Sequence, residues 1–138
     1  MMLGLNGSVS SRSVLHVLLV EDSAMLADRV CEELRTLEDV EVIAVVDNQK
    51  DATDWVRNGS VDVIVLDLQL RQGSGFGVLR GLGDCRPAIV ILTNHVLPEY
   101  RLCAKRLGAD HFLNKSNDYE RLADVVGSLR DTRRHSPA

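Results

Sequence analysis

The sequence predicts an α/β protein with a doubly wound, five-stranded parallel sheet. Five short apolar runs begin near Leu15, Val40, Val61, Ala88 and His111. A stretch with helical spacing follows each run, and strands that alternate with helices form βα units with right-handed crossovers. We therefore expect a flavodoxin-like (βα)5 arrangement with strand order 2-1-3-4-5.

The third run, VIVLDLQL at residues 63–70, is apolar at consecutive positions. A strand of this kind is buried on both faces, as in a parallel sheet that is covered by helices. Asp67 is the one carboxylate in the run, and it lies where burial gives way to solvent.

Two segments have the apolar spacing of a helix with one buried face. The first stripe consists of Ala27, Val30, Leu34 and Leu37. The second consists of Tyr119, Leu122, Val126 and Leu129. Ser23 and Asn117 precede these stripes, and their side chains can accept hydrogen bonds from backbone N–H groups at a helix start. We predict both residues as N-caps.

The chain has 138 residues, the size of one domain that buries a core without disulfides or metals. The predicted domain covers residues 14–131, between a flexible N-terminal segment at 1–13 and a flexible tail at 132–138. The net charge of -4 disfavours a direct nucleic-acid partner. No output domain is expected within this length.

The cysteines Cys31, Cys85 and Cys103 have no metal-binding spacing and are odd in number, so buried free thiols are expected. The first residues lack the basic start and the apolar stretch of a signal peptide. No later run approaches the roughly 20 apolar residues of a membrane span. These features predict a cytoplasmic protein without membrane contact.

Polar side chains stand at the carboxyl ends of the predicted strands near the switch point of the sheet, where doubly wound proteins bind their ligands. Glu21 and Asp22 end the first run, and Asp67 ends the third. Thr93 ends the fourth, and Lys115 ends the fifth. A solvated strand end explains any one of these residues, but three carboxylates, a hydroxyl and an amine together indicate a functional site.

Carboxylates that converge in a cleft repel one another unless a cation joins them. Oxygen ligands without a histidine or thiol suit Mg²⁺, which keeps several waters and commonly shares a substrate phosphate. Lys115 and the hydroxyl of Thr93 would supply a charge and a hydrogen bond to that phosphate. We therefore predict Mg²⁺ as the cofactor and Asp67 as the nucleophile.

These motifs resemble the receiver domain of two-component response regulators over residues 14–131. The resemblance implies that Glu21 and Asp22, in the sequence VEDS, hold Mg²⁺. It implies that Asp67 is the phosphoacceptor and a metal ligand, that Thr93 is the switch hydroxyl and that Lys115 binds phosphate. All five elements in order, at βα spacing, are a far more specific signal than any one alone.

The resemblance assigns further roles around this site. Phe112, three residues before the lysine, would be an aromatic switch, and the backbone carbonyl of Gln69 would be a magnesium ligand. Gln69 and His95 would flank the approach of water to the phosphoacceptor, and Asn94 would border the phosphoryl pocket.

Two positions depart from the pattern, and one motif needs another explanation. Arg71 and Ser116 occupy positions that are often proline in receivers, and the peptide bond before the second position is usually cis there. The sequence GSGFG at residues 73–77 lacks GxGxxG spacing and follows the third strand, not the first. We interpret it as a turn into the third helix.

The sequence thus predicts a single-domain response regulator that is not an enzyme beyond assisting its own phosphorylation and dephosphorylation. A sensor histidine kinase or a histidine phosphotransfer protein would donate the phosphoryl group to Asp67. The signal would reach an unidentified protein target through the fourth helix, fifth strand and fifth helix. Thr93 and Phe112 would form the switch.

Two other functions stay open. A magnesium-dependent phosphohydrolase with an aspartate nucleophile also uses a carboxylate at a strand end, although such enzymes typically have a DxD sequence, and Gln69 stands at its second position. A receiver-like adaptor that works without phosphorylation is the other alternative. The complete set of chemical groups disfavours the adaptor.

Overall fold

The computed structural model describes residues 14–134. The strands are β1 (Leu15–Val20), β2 (Val40–Val46), β3 (Val63–Leu66), β4 (Ala88–Thr93) and β5 (His111–Asn114). The helices are α1 (Ala24–Leu34), α2 (Gln49–Arg57), α3 (Gly75–Gly81), α4 (Pro98–Arg106) and α5 (Arg121–Arg134). The segment at 1–13, which the sequence predicts to be flexible, lies outside the described residues, as do residues 135–138.

All strand pairs in the sheet are parallel, and the order is β2-β1-β3-β4-β5. This confirms the predicted fold and strand order. Val20 at the end of β1 pairs with Leu66 at the end of β3. The residues that follow these two strands, Glu21 and Asp67, are therefore brought to the same edge of the sheet.

The central strands β1, β3 and β4 are buried on both faces, because helices cover each side of the sheet. Leu18 packs in the cluster that includes Ala52 of α2, whereas its neighbour Leu19 packs in the cluster that includes Val126 of α5. The four residues of β3 are no more than 1% exposed, as the consecutive apolar run predicts. Full burial of each such aliphatic side chain contributes roughly 1.5–3 kcal/mol to stability.

The two predicted N-caps have different outcomes. The Ser23 side chain accepts a hydrogen bond from the Leu26 N–H and caps α1, which confirms that prediction. The prediction for Asn117 is wrong, because α5 begins only at Arg121. The chain forms a turn at this point, and the Asp118 N–H donates to the carbonyl of Asn114 over 2.8 Å.

Helix α5 continues through Arg134, so residues 132–134 belong to a helix and not to the predicted tail. Two contacts hold this end of the helix against the body of the domain. Arg133 pairs with Asp62 at 2.5 Å, and Arg130 donates a hydrogen bond to the carbonyl of Glu38 at 2.8 Å.

The cysteines differ from the prediction in their burial. Cys31, Cys85 and Cys103 are free thiols, but each is half-buried instead of fully buried. Across residues 14–134, no helix is long and apolar enough to cross a membrane.

Candidate functional site

Four of the predicted site residues form one connected polar cluster at the carboxyl edge of the sheet. The Lys115 Nζ lies 2.6 Å from Asp67 Oδ2 and 2.7 Å from Glu21 Oε1. The Thr93 Oγ1 donates a hydrogen bond of 2.7 Å to Asp67 Oδ1. Glu21, Asp67 and Thr93 are only 5%, 6% and 0% exposed. Buried charges of this kind are tolerated only when they are paired, as these are.

Asp67 is held from its backbone and from both carboxylate oxygens. Its N–H donates to the carbonyl of Val20, the last residue of β1. Its Oδ1 accepts from Thr93 and also from the Gln69 N–H, at 3.2 Å. Its Oδ2 accepts from Lys115. The carboxylate is thus oriented before any substrate arrives.

Glu21 uses both of its carboxylate oxygens within the protein. Oε1 pairs with Lys115, and Oε2 accepts a hydrogen bond of 3.0 Å from the Ser23 N–H. Its own N–H donates to the carbonyl of Val46 at the end of β2. Glu21 therefore ties β1, β2 and the start of α1 to the site.

Lys115 is placed by the turn between β5 and α5. Its N–H donates to the carbonyl of Thr93, and the Ser116 N–H donates to the Asn114 side chain at 2.8 Å. No cis peptide bond occurs in residues 14–134, so the bond before Ser116 is trans. The lysine reaches Asp67 although serine replaces the proline that is common in receivers.

The Lys115 ammonium stays charged at neutral pH. Burial by itself lowers the pKa of this lysine, but hydrogen bonds and charge from Asp67 and Glu21 outweigh burial and raise the pKa above its ordinary value. The stabilisation from the ammonium is therefore present below the usual lysine pKa of about 10.4 and is lost only as the pH rises through the raised value.

The remaining predicted metal ligand, Asp22, makes none of the hydrogen bonds and ion pairs of the connected cluster. Its side chain is half-exposed. In the described part of the chain, no group of three His, Cys, Asp or Glu side chains has the arrangement of a metal site. The Lys115 ammonium pairs with the carboxylates of both Glu21 and Asp67. Three carboxylates and one ammonium still leave a surplus of negative charge on oxygen donors, and this chemistry suits Mg²⁺.

The predicted switch aromatic lies outside the polar cluster. Phe112 is half-buried on β5, and it pairs with Ile91 of β4 in the sheet register. The Arg101 guanidinium of α4 lies 4.5 Å from the centroid of its ring, a distance that allows a cation–π interaction. The sequence did not suggest this contact between α4 and β5.

Three side chains stand at the entrance to the cluster. The exposed Gln69 contacts the His95 ring through its side-chain oxygen, so the two residues that were expected to flank the water approach touch each other. The His95 N–H donates to Thr93 Oγ1 at 3.2 Å. Asn94 is exposed, and its Oδ1 accepts a hydrogen bond of 3.3 Å from Ser116 Oγ.

A cleft of about 590 Å³ opens beside Lys115, between α1 and the turn that precedes α5. Its lining residues are Leu26, Arg29, Asn94, Lys115, Ser116, Asn117, Tyr119 and Glu120. The cleft thus borders the polar cluster on the side of Lys115.

Comparison with protein families identifies the family of this chain. The model of the response regulator receiver domain matches residues 17–127. The chain belongs to the response regulator receiver domain family. The matched residues include all the predicted site residues, from Glu21 through Lys115.

Similar curated proteins are longer than this chain. The receiver is 27% identical to the transcriptional regulatory protein DesR of Bacillus subtilis, with 88% of this chain and 61% of the relative covered. It is 33% identical to protein-glutamate methylesterase/protein-glutamine glutaminase 5 of Myxococcus xanthus, with 85% and 35% covered. The chain therefore spans only part of the length of these relatives, and the catalytic name of the second belongs to that protein.

Solved structures share the fold. The signal receiver domain of a Luxo repressor protein from Vibrio parahaemolyticus has a TM-score of 0.77 and 29% identity, with 87% of this chain and 92% of that chain covered. The response regulator domain of Thermotoga maritima CheB has a TM-score of 0.76 and 19% identity, with 90% and 99% covered. The second likeness shows the fold alone.

Proposed function

We propose that this receiver accepts a phosphoryl group on Asp67 from the phosphohistidine of a sensor histidine kinase or a histidine phosphotransfer protein. The observation that carries the proposal is the buried Asp67 carboxylate, with Lys115 at 2.6 Å and the Thr93 hydroxyl at 2.7 Å. A cation and a hydroxyl beside a strand-end carboxylate are the groups that a transferred phosphoryl group requires.

In the transfer, the P–N bond of the phosphohistidine breaks and a P–O bond to an Asp67 carboxylate oxygen forms. The electron pair of the P–N bond returns to the imidazole, which leaves the site. Lys115 donates hydrogen bonds to the incoming phosphoryl oxygens and offsets their charge, since its raised pKa keeps it protonated. Its contact with Asp67 becomes a contact with the acyl phosphate.

Glu21, Asp22, Asp67 and the backbone carbonyl of Gln69 would hold Mg²⁺. When bound, Mg²⁺ neutralises charge on the transferring group and orients it. The two oxygens of Glu21 already serve Lys115 and the Ser23 N–H. Asp22 takes no part in those contacts, so a metal ion can bind its carboxylate without displacing Lys115 or the Ser23 N–H.

The signal leaves the site through Thr93 and Phe112. The Thr93 hydroxyl donates to Asp67 before transfer, and after transfer it donates to a phosphoryl oxygen. This movement leaves space into which Phe112 rotates, and it shifts the population of the face formed by α4, β5 and α5. A protein partner that binds one state of this face reads the signal.

Intact-mass spectrometry after incubation with Mg²⁺ and acetyl phosphate tests the proposal. We expect one phosphoryl adduct on the parent, none on Asp67→Asn, and a normal adduct on Asp54→Asn, whose exposed carboxylate only pairs with Lys50. Labelling of Asp67→Asn at the parent rate contradicts the assignment. Release of phosphate without an adduct on the parent favours the phosphohydrolase, and no reaction at all favours the adaptor.

A further inference from the structure

The loop between β3 and α3 needs an external support. It carries Asp67 and Gln69, and the sequence DLQLRQGSGFG that begins at Asp67 has three glycines and no proline. Glycine has the largest backbone freedom of all residues, whereas proline restricts it. Contacts from outside the loop therefore add to its own hydrogen bonds, which join Gly75 to Leu68 and Gln69 to Asp67.

Gln49, the first residue of α2, fills the space that the glycines leave open. A Cβ atom at Gly73 or at Gly77 would lie less than 3.0 Å from the Gln49 side chain. The Gln49 Oε1 accepts a hydrogen bond of 3.1 Å from the Ser74 N–H, and the Gln49 N–H donates to the carbonyl of Gln72 at 3.1 Å. One residue thus contacts both ends of the glycine-rich segment.

The middle glycine connects this contact to the phosphorylation site. A Cβ atom at Gly75 would lie less than 3.0 Å from the backbone carbonyl oxygen of Asp67 and from the Leu68 Cα. The Gly75 N–H donates to the carbonyl of Leu68 at 2.9 Å. The segment that Gln49 holds is therefore folded directly against the backbone of the phosphoacceptor.

Helix α2, which carries Gln49, is packed close to α3. Thr53, one turn after Gln49, faces Gly81, where a Cβ atom would lie 3.3 Å from the threonine methyl group. The Thr53 hydroxyl donates to the Gln49 carbonyl at 2.9 Å. Glycines at positions 77 and 81 allow this close approach of the two helices.

We propose that Gln49 is a positioning residue for the phosphorylation site. It holds the β3–α3 loop, and with it the backbone of Gln69, in the conformation that magnesium binding requires. The proposal rests on the proposed function, because the Gln69 carbonyl is a ligand only in a receiver that binds Mg²⁺. The glycines of the sequence GSGFG leave the space that the side chain of Gln49 occupies.

Two substitutions of similar size separate the hydrogen bond from the packing. Gln49→Met keeps the length of the side chain and removes the acceptor of the Ser74 N–H. Gln49→Glu keeps both the length and an acceptor oxygen. Lys50→Ala is the matched control, because Lys50 is the next residue of α2 and only pairs with the exposed Asp54.

The first measurement is amide hydrogen exchange without Mg²⁺. We expect the Ser74 N–H to be protected in the parent, in Gln49→Glu and in Lys50→Ala, and to exchange about 10-fold faster in Gln49→Met, since the loss of one hydrogen bond of about 1.4 kcal/mol corresponds to that factor. Fast exchange of Ser74 in the parent overturns the proposal without recourse to any variant.

The second measurement is a magnesium titration followed by NMR. We expect Gln49→Met to bind Mg²⁺ about 10-fold more weakly than the parent, as for other residues that orient metal ligands, and Gln49→Glu to restore the parent affinity. Faster Ser74 exchange with an unchanged magnesium affinity makes Gln49 merely structural and overturns the positioning role. A parent that binds no Mg²⁺ contradicts the proposed function instead, and it overturns the positioning role as well, although the Ser74 exchange still reports the loop contact itself.

Discussion

Two loops border the polar cluster, and they differ in whether a side chain from a distant part of the chain adds to their local contacts. The β5–α5 turn, which carries Lys115, is closed by Asn114 and Asp118. The Asp118 carboxylate accepts from the Asn114 N–H at 3.0 Å, and the Asp118 N–H donates to the Asn114 carbonyl at 2.8 Å. Residues within a single turn therefore fix the backbone position of Lys115.

The β3–α3 loop, which carries Gln69, also has a local closure, because the Gly75 N–H donates to the Leu68 carbonyl at 2.9 Å. It differs from the turn in that its Ser74 N–H donates to the side chain of Gln49, which lies 25 residues earlier. The position of Lys115 therefore depends on contacts close to it in the chain, whereas the position of Gln69 depends also on the packing of α2 against α3. We expect substitutions in the two loops to have different effects on stability and on the site.

The largest expected effect on stability comes from removing the Lys115 ammonium, which joins Glu21 and Asp67. Lys115→Met leaves Glu21 and Asp67 buried without their shared cation, and breaking such a pair costs about 3 kcal/mol. We expect the free energy of unfolding at neutral pH, measured in urea without Mg²⁺, to fall by about that amount. Lys50→Ala, in an exposed pair, should change it little. Equal losses in the two variants would show that the buried cluster is no more strongly coupled than the surface.

Magnesium should return part of the stability that Lys115→Met loses. A ligand that binds only the folded state stabilises it, and the variant has a more negative cluster than the parent. We expect a larger rise in the urea midpoint with Mg²⁺ for the variant than for the parent. An equal rise would place the metal away from Glu21 and Asp67.

The next effect concerns Thr93. Its hydroxyl contacts Asp67, and its carbonyl accepts a hydrogen bond from the Lys115 N–H. Thr93→Ala should still accept phosphate but should shift the switch less, because a hydrogen bond of about 1 kcal/mol to the phosphoryl oxygen is missing. Amide NMR spectra with and without a phosphoryl mimic measure the shift at Phe112 and in α4. The same shifts in parent and variant would exclude Thr93 as the relay.

A smaller effect on stability is expected at Asp118, in the β5–α5 turn. The hydrogen bond from the Asn114 N–H lowers the pKa of Asp118, so its carboxylate stabilises the fold above the ordinary Asp pKa of about 3.9 and loses this effect as the pH falls through the lowered value. We expect Asp118→Asn to melt below the parent at neutral pH and to match it in acid. A difference that does not depend on pH would mean that the charge is not the cause.

The smallest effect is expected at the entrance. Asn94 holds Ser116 across the cleft beside Lys115, and the loss of an exposed contact of about 0.5 kcal/mol corresponds to roughly a twofold change in rate. We expect Asn94→Ala to accept phosphate from acetyl phosphate about twice as fast at matched Mg²⁺. An equal or slower initial rate would mean that Asn94 does not limit access.

Local patterns were sufficient for the fold. Consecutive apolar residues predicted β3, alternation of strands with helices predicted the sheet order, and Ser23 was identified as a cap because its position relative to the apolar stripe is a local feature. The same reasoning gave a wrong N-cap at Asn117. The neighbouring Asp118 accepts a hydrogen bond from the Asn114 N–H and closes a turn there, so no helix begins at this position. The N-cap and the turn use the same residue types, so the sequence alone does not separate them.

The sequence by itself determined which residues stand at the carboxyl edge of the sheet, because a strand end is a local property and parallel strands end on the same side. Only the tertiary structure decided that Lys115 reaches Asp67 across 48 residues of chain and that Glu21, not Asp22, pairs with this lysine. It also decided that Gln49 occupies the space beside Gly73 and Gly77. These contacts depend on how helices and loops pack on the finished sheet, and no periodicity along the chain encodes a distance between two loops.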